Sequence, residues 1–281
     1  MNAGARPIST VIPAHDEERV IGRLLRGLAQ GRQPGDEVIV VCNGCRDRTA
    51  AVARSYPGVQ VVDLAAAGKP GALNAGDAAA TAFPRFFVDA DIDVTSESLH
   101  AVADALGGDV LAGAPAIRFD VSRSSAGVRA YYRFWSQVPY FRRGLLGTGV
   151  YGMTEEGRRR FAEFPSIIAD DEFVRRQFLN RERLTGPPGT FVAVAPRDLA
   201  SLVRVQTRSR LGSLQLDRLL GPTEAGGTGG LRNALPLLRS PALWVPFLVY
   251  GSVRLAVEVR ARARHRRRDY GGWATDHSSR G

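Results

Sequence analysis

The sequence predicts an α/β fold built on a mostly parallel sheet with helices on both faces. Three observations carry that expectation. The first third alternates short β-branched runs with helical patterns, which requires crossover connections and hence parallel strands. The polar and Gly-rich segments fall at the carboxyl ends of those runs, where open α/β sheets collect their ligands. Over 281 residues, 44% are hydrophobic against 23% charged, enough for a buried core and too apolar for disorder as the main state.

Taken in order, Ile8 to Ile12, Glu37 to Cys42, Val59 to Leu64 and Arg85 to Asp89 read as buried strands. Glu17 to Gln30, Arg48 to Ser55, Lys69 to Ala80 and Ser96 to Leu106 read as helices between or after them. From Val110 the pattern loosens. A strand runs to about Arg118, followed by an aromatic helix with Tyr131, Tyr132, Phe134 and Trp135 and a turn at Gly147-Thr148-Gly149. A helix from Asp171 to Asn180 and a Pro/Gly turn from Gly186 to Gly189 come next. The stretch Gly221 to Gly230, GPTEAGGTGG, reads as a flexible break. The expected division is a main domain over 1–220, with halves at 1–95 and 96–220, a linker over 221–230, and a C-terminal segment over 231–281.

Charge is concentrated in that last segment. The 38 basic and 28 acidic residues leave a net +10, and seven Arg against one Glu between Arg254 and Arg268 account for most of it. That placement argues against a nucleic-acid groove over the main domain. Ser240 to Val253 carries no charge but falls short of the roughly 18 to 20 apolar residues of a spanning helix, and Pro246 would kink it. An amphipathic helix lying in the membrane interface fits, with Arg260 to Arg268 gaining about 1 kcal/mol each against anionic headgroups. A core helix with a solvated basic tail is the alternative. Met1 to Pro7 has no apolar signal core, so the expected location is cytoplasmic, peripheral on the inner face of the membrane. Cys42 and Cys45, the only cysteines, form a C-x-x-C that could be a redox pair or half a zinc site; without a second pair they read as incidental.

Phe86-Phe87-Val88-Asp89-Ala90-Asp91 is an apolar strand ending in D-x-D. Side chains two apart on a strand share a face, about 6.6 Å apart, so both carboxylates reach the sheet's carboxyl edge. Such a pair suits a hard divalent cation, Mn²⁺ or Mg²⁺, completed by diphosphate oxygens; a solvated loop is the alternative. Lys69, the only lysine, stands in Gly68-Lys69-Pro70-Gly71-Ala72-Leu73-Asn74-Ala75-Gly76 at a helix start. A phosphate or a sugar hydroxyl fits there, although the Walker order is absent. Val11 to Glu18 and Asn43 to Thr49 end the first two strands in polar turns, where dipole matching and an Asp47 N-cap are the structural alternatives. Ala169-Asp170-Asp171-Glu172 is an acid-rich turn, and carboxylates near one another become better bases near neutral pH.

In order and spacing these motifs resemble family 2 glycosyltransferases, which use nucleotide sugars on a Rossmann-like GT-A fold. Val11 to Glu18 resembles the family's first-strand turn, Asn43 to Thr49 its N/D-G-S-x-D-x-T, Gly68 to Gly76 its G-K-x-x-A-L-N-x-G, and Asp89-Ala90-Asp91 its D-x-D. Gly147 to Gly152, Asp170-Asp171-Glu172 and Arg208 to Gly212 match more loosely. The resemblance makes 1–95 the nucleotide-sugar half and 96–220 the acceptor side. It implies that Pro13, Glu17 and Asp47 border the nucleobase and ribose, and that Asn43, Lys69 and Asn74 lie with the donor. Asp91, with Asp89 beside it, serves metal and ribose. Asp171, with Asp170 close behind, is the general base, and Arg208 and Arg210 reach the leaving diphosphate from a mobile loop. His15-Asp16 and Arg46 depart from the family pattern and leave the base unspecified.

The expected activity is inverting transfer of a hexose from a nucleoside-diphosphate sugar to a hydroxyl acceptor, lipid-linked or at an anionic membrane surface, in envelope or exopolysaccharide assembly. Two other readings compete. Asp91-Ile92-Asp93-Val94-Thr95 also fits the D-x-D-x-T/V of haloacid-dehalogenase-like phosphatases, and a non-catalytic membrane adaptor would explain residues 240–268 alone. Residues 231–281 are expected to be dispensable for a soluble, donor-binding protein.

Overall fold

The computed structural model describes residues 6–138, 149–222 and 235–270. Strands β1 (Ser9–Ala14), β2 (Glu37–Asn43), β3 (Val59–Leu64) and β4 (Arg85–Val88) are parallel, in the order β3-β2-β1-β4. A second, three-stranded sheet has the order β5-β9-β7, from β5 (Ile92–Val94), β9 (Thr190–Val194) and β7 (Ala116–Asp120). The first sheet is completed beyond β4 by β8 (Val150–Met153), which runs antiparallel to β4, and then by β6 (Ala112–Gly113). The mostly parallel α/β sheet is therefore present, closed on one side by an antiparallel pair. The single strand expected over 110–118 is two, β6 and β7, in different sheets. Pro115 lies between them and has no N–H for a ladder.

β1 and β2 are buried almost throughout, as strands covered on both faces must be. On one face Ile12, Val40 and Phe86 meet Ile21, Leu24, Leu25 and Leu28 of helix α1 (Ile21–Ala29). On the other lies α3 (Lys69–Ala79), after α2 (Thr49–Arg54). A Cβ at Gly76 of α3 would stand 2.3 Å from Val11 Cγ1 and 3.0 Å from Val41 Cγ2, so the helix seats on the sheet only through glycine. Helix α1 begins at Ile21 rather than Glu17. Asp16 has φ +53, and the Glu17 and Glu18 N–H groups donate to Thr49 Oγ1 at 2.7 Å and Asp47 Oδ2 at 3.0 Å. The acids that looked like a first helical turn are drawn into the neighbouring turn instead. Helix α4 (Ser96–Ala105) is capped by Thr95, whose hydroxyl accepts the Ser98 N–H.

The chain divides into two compact units, one of Met1–Arg118, Gly144–Ser166 and Asp170–Ala193, the other of Phe119–Arg143, Ile167–Ala169 and Val194–Gly281. The first holds both core strands and the polar turns, with α6 (Glu155–Arg158) and α7 (Asp170–Arg176). Helix α7 is shorter than the 171–180 expected, and a 3-10 turn over Asn180–Glu182 follows it.

The second unit is helical. Helix α5 (Ala126–Trp135) carries the predicted aromatics inward, against Leu202 and Val203 of α8 (Leu199–Leu220) and Val253 and Val257 of α9 (Trp244–Arg266). Tyr131 lies 5.3 Å from Tyr250, and Phe134 5.4 Å from Phe247, between ring centroids. The C-terminal segment thus contributes to a core, which argues against the expectation that residues beyond Gly230 are dispensable for solubility. Pro246 does not interrupt α9, because in the first turn of a helix no intrahelical N–H is required. Helix α8 replaces the loop expected around Arg208 to Gly212. Its buried positions include Ser201, Gln206, Thr207 and Gly212, which interrupt the apolar periodicity that would have marked it. Gly147-Thr148 of the expected turn and 223–230 of the expected linker lie outside the described residues.

Candidate active site

The strand ends of the first unit are tied to one another by side chains that the sequence reading assigned to the donor. Asn43, fully buried, donates from Nδ2 to the Ala14 carbonyl at 2.8 Å and accepts the Gly68 N–H on Oδ1 at 2.9 Å. One amide thereby joins the ends of β1 and β2 to the start of α3. Asp47 accepts the N–H groups of Glu18 (3.0 Å) and Thr49 (2.9 Å). Partial burial alone would raise its pKa, but these bonds and the Thr49 hydroxyl outweigh it and hold the carboxyl below its usual range. Asp47 therefore fixes the turn that leads into α2, whose N-cap is Arg48 rather than the Asp47 expected from sequence. Pro13 is buried in β1, in register with Val41, and Glu17 is buried beneath the turn. Cys42 and Cys45 are free thiols; a hydrogen bond between them raises Cys42 and lowers Cys45 to about 6.

The acids gather one strand further along. The Asp89 N–H donates to the Gly149 carbonyl at 2.8 Å, which sets the residue after β4 against the start of β8. Gly149 has φ +102, and a Cβ there would meet Ile92 Cγ2 at 3.1 Å, so glycine is required for this approach. Lys69, the first residue of α3, places Nζ 2.7 Å from Asp89 Oδ1 and 3.0 Å from Asp170 Oδ1. Burial would lower the ammonium's pKa, but the charges of Asp170 and then Asp89 overcome it and hold it above its ordinary value. The other Asp170 oxygen accepts from the Tyr151 hydroxyl at 3.1 Å. Burial, with Asp170 beside it, pushes the Tyr151 phenol well up, so it stays protonated. Asp171 is half-buried, and its Oδ1 accepts the Glu172 N–H at 2.7 Å. Asp91 is half-buried too; its carbonyl accepts from Arg23 at 3.1 Å, and Arg23 also pairs with Asp93.

Of the residues singled out from sequence, the structure joins Lys69, Asp89 and Asp170 in one hydrogen-bonded cluster, with Asp171 next in α7. Two others are engaged elsewhere. The Asn74 side chain is spent on the backbone of Phe164, at 3.2 Å to its carbonyl and 2.8 Å from its N–H. Arg210 is paired with Glu258 of α9 at 2.8 and 3.1 Å, and Arg208 lies on the same helix rather than on a loop. Sequence reasoning missed Arg23, and it placed Gly149 in a turn and Tyr151 inside the Gly147 to Gly152 match without giving either a role. β8 is four residues with a glycine inside, too short for its alternation to register. Asp89 and Asp91, the pair that the sequence reading assigns to a metal, offer carboxylate oxygens, which suit Mg²⁺ or Mn²⁺ rather than a soft metal. Among the described residues, the group of three His, Cys, Asp or Glu side chains close enough to share an ion is Asp16, Cys45 and Asp47.

The family described as "Glycosyl transferase family 2" matches residues 9–159, more than half of the chain. The chain belongs to glycosyltransferase family 2. The match covers every motif from β1 to β8 and removes the phosphatase alternative, whose nucleophile ends the first strand of its fold, whereas Asp91 follows β4 here. A curated relative, the 4,4'-diaponeurosporenoate glycosyltransferase of Staphylococcus aureus, is 45% identical over 64 residues. That match spans 23% of this chain and only 16% of the relative. Among solved structures, the mannosyltransferase PcManGT of Pyrobaculum calidifontis, in complex with GDP-Man and Mn²⁺, has a TM-score of 0.67 at 17% identity. It covers 94% of this chain and 88% of its own. Glucosyl-3-phosphoglycerate synthase of Mycobacterium tuberculosis, with Mn²⁺ and UDP, has a TM-score of 0.54 at 19% identity, over 79% and 82% of the two chains. The same enzyme is also solved with Mg²⁺ and UDP. These likenesses establish the GT-A fold.

Proposed function

We propose that this family 2 enzyme is a metal-dependent, inverting hexosyltransferase that moves a sugar from a nucleoside-diphosphate donor to a hydroxyl acceptor. The observation that carries the reading is the Lys69 bridge, which links the donor-side acid Asp89 to the acid pair of α7 through contacts of 2.7 and 3.0 Å. Pro13, Glu17, Asn43 and Asp47 shape the edge where nucleobase and ribose lie, partly by fixing its turns. Asp91, with Asp89 beside it, would hold a divalent cation that supplies positive charge to the donor's diphosphate. Asp171 takes the proton from the acceptor hydroxyl as its oxygen attacks the anomeric carbon. The bond from that carbon to the diphosphate breaks, its electron pair leaves with the nucleoside diphosphate, and in-line attack inverts the configuration. Neither Arg210 nor Asn74 enters this scheme, because their polar groups are engaged by Glu258 and Phe164.

Helix α9 supports a membrane-proximal, lipid-linked acceptor, as in envelope or exopolysaccharide assembly at the inner face of the cell membrane. Its inner face is packed, yet Trp244, Val245, Leu248, Leu255 and Val259 on the other side are 57% to 67% exposed. These recur at helical spacing and lead into the Arg260 to Arg268 run. Among the described residues, Pro241–Arg266 is the one helix long and apolar enough to cross a bilayer by length and composition alone. A helix whose other face is committed to a protein core, and which carries Arg254 and Glu258, fits an interfacial position better. The test is a nucleotide-sugar panel with Mn²⁺ or Mg²⁺, read by thermal shift and by nucleoside-diphosphate release. A donor at 100 times its Kd stabilises by about 2.7 kcal/mol. Absence of binding to every nucleotide sugar would refute the reading and favour the adaptor.

A further inference from the structure

Two adjacent acids open α7, and they are held in different ways. Asp170, 3% exposed, has both carboxylate oxygens engaged, Oδ1 by the Lys69 ammonium and Oδ2 by the Tyr151 hydroxyl. Asp171, the next residue, is half-buried. A general base needs an oxygen that meets the acceptor hydroxyl and then carries its proton, so Asp170 could serve only by releasing one of its two partners. Tyr151 is a rigid holder. It is 3% exposed, and its ring stacks on Phe87 with centroids 5.3 Å apart and an interplanar angle of 24°. Phe87 is in turn fixed edge-on by Phe164 at 4.9 Å.

We infer that Tyr151 is a positioning residue which, with Lys69, immobilises Asp170 as a fixed anion and thereby sets the start of α7 so that Asp171 alone meets the acceptor. The inference rests on the general-base reading above and adds to it a residue to which the sequence reading gave no role. Tyr151, Asp170, Lys69 and Asp89 form one continuous chain of polar contacts. The clamp therefore ties the acceptor-side acid to the donor-side acid.

The test is Tyr151→Phe, which keeps the ring and its stacking and removes one hydroxyl. The loss of a hydrogen bond to a buried charged group predicts a lowered thermal midpoint and, if the clamp positions the base, a kcat lowered about ten- to a hundredfold with donor KM little changed. A merely structural role would lower the midpoint without that kcat-against-KM split. Asp171→Asn is measured alongside and is expected to cost about 10² to 10⁴ in kcat. Because the two residues serve one step, Tyr151→Phe added to Asp171→Asn should cause no further loss, whereas a general loosening of the fold would multiply through. Wild-type kcat in Tyr151→Phe with an inactive Asp171→Asn overturns the clamp, as does a full multiplicative loss in the double variant. An active Asp171→Asn with an inactive Asp170→Asn overturns the base assignment instead.

Discussion

Lys69→Met is the perturbation that most directly weighs the cluster. The methionine fills the lysine stem's volume, and the change deletes contacts of 2.7 Å to Asp89 and 3.0 Å to Asp170. The two acids do not lose equally. The Asp89 side chain is 36% exposed and is rescued by water, but that of Asp170 is 4% exposed and keeps only the Tyr151 hydroxyl. Breaking a buried pair by removing one partner costs about 3 to 5 kcal/mol, because a charge is left without compensation. Asp170→Asn should cost less, about 1 to 3 kcal/mol, since Lys69 retains Asp89 and the amide retains a polar contact. With both changes made, no isolated charge remains, so the double variant should be more stable than the sum of the singles predicts, by about 1.5 to 3 kcal/mol. Urea unfolding followed by circular dichroism on the four proteins closes the cycle. A Lys69→Met cost below about 1 kcal/mol, or a cycle additive within about 0.5 kcal/mol, would refute the claim that Lys69 compensates a buried Asp170.

Other consequences follow from single contacts. Gly76→Ala forces a methyl to 2.3 Å from Val11 Cγ1 and should cost about 1 to 3 kcal/mol in chemical denaturation, with a neutral result showing that α3 can lift off the sheet. Asp91→Asn should abolish transfer, and wild-type turnover should vanish in EDTA and return with Mn²⁺ or Mg²⁺; full turnover without metal would remove the ion from the scheme. Deleting residues after Gly230 should give an aggregating protein, as the partners of Val253 and Val257 are uncovered, whereas Leu248→Asp with Leu255→Asp should stay folded and release anionic liposomes. Sedimentation separates these outcomes, and unchanged liposome binding by the double variant would show that the outer face of α9 is not the docking face. Burial would raise the Glu37 pKa, but hydrogen bonds from Ser9, Thr81 and Ala82 outweigh it and depress it from 4.5 to about 2. Its stabilising effect is therefore full above about pH 4.5 and is lost as pH falls toward 2. Glu37→Gln should flatten unfolding free energy against pH across that window, and an unchanged slope would refute the assignment.

Much of the first unit was readable from residues alone. β1, β2 and β4 are found within two residues of the bounds expected, because a strand buried on both faces is a mostly apolar run that needs no partner to identify it. β3, expected to be buried, is an edge strand with no buried residue, yet its valines still placed it at the expected bounds. The D-x-D, the lysine at the helix start and the acid pair were visible for a related reason: each is a short string of unusual residues, and the parallel topology already implied that they share one edge. Sequence could not show what each polar atom would touch. Asn43 and Asp47 looked like ligand contacts and serve also as ties between turns, since residues 28 to 32 apart in the chain become neighbours only when β1 and β2 pair. Asn74 and Phe164, 90 residues apart, are a case of the same kind. Tyr151 lies inside the Gly147 to Gly152 match, but its role was illegible because its meaning lies in the Asp170 oxygen opposite, 19 residues on, across a strand too short to announce itself. Helix α9 shows the limit most plainly. Its composition announced an apolar, basic helix, but an apolar face is equally suited to lipid and to protein, and only the packing of α5 and α8 decided that one face is core while the other stays exposed.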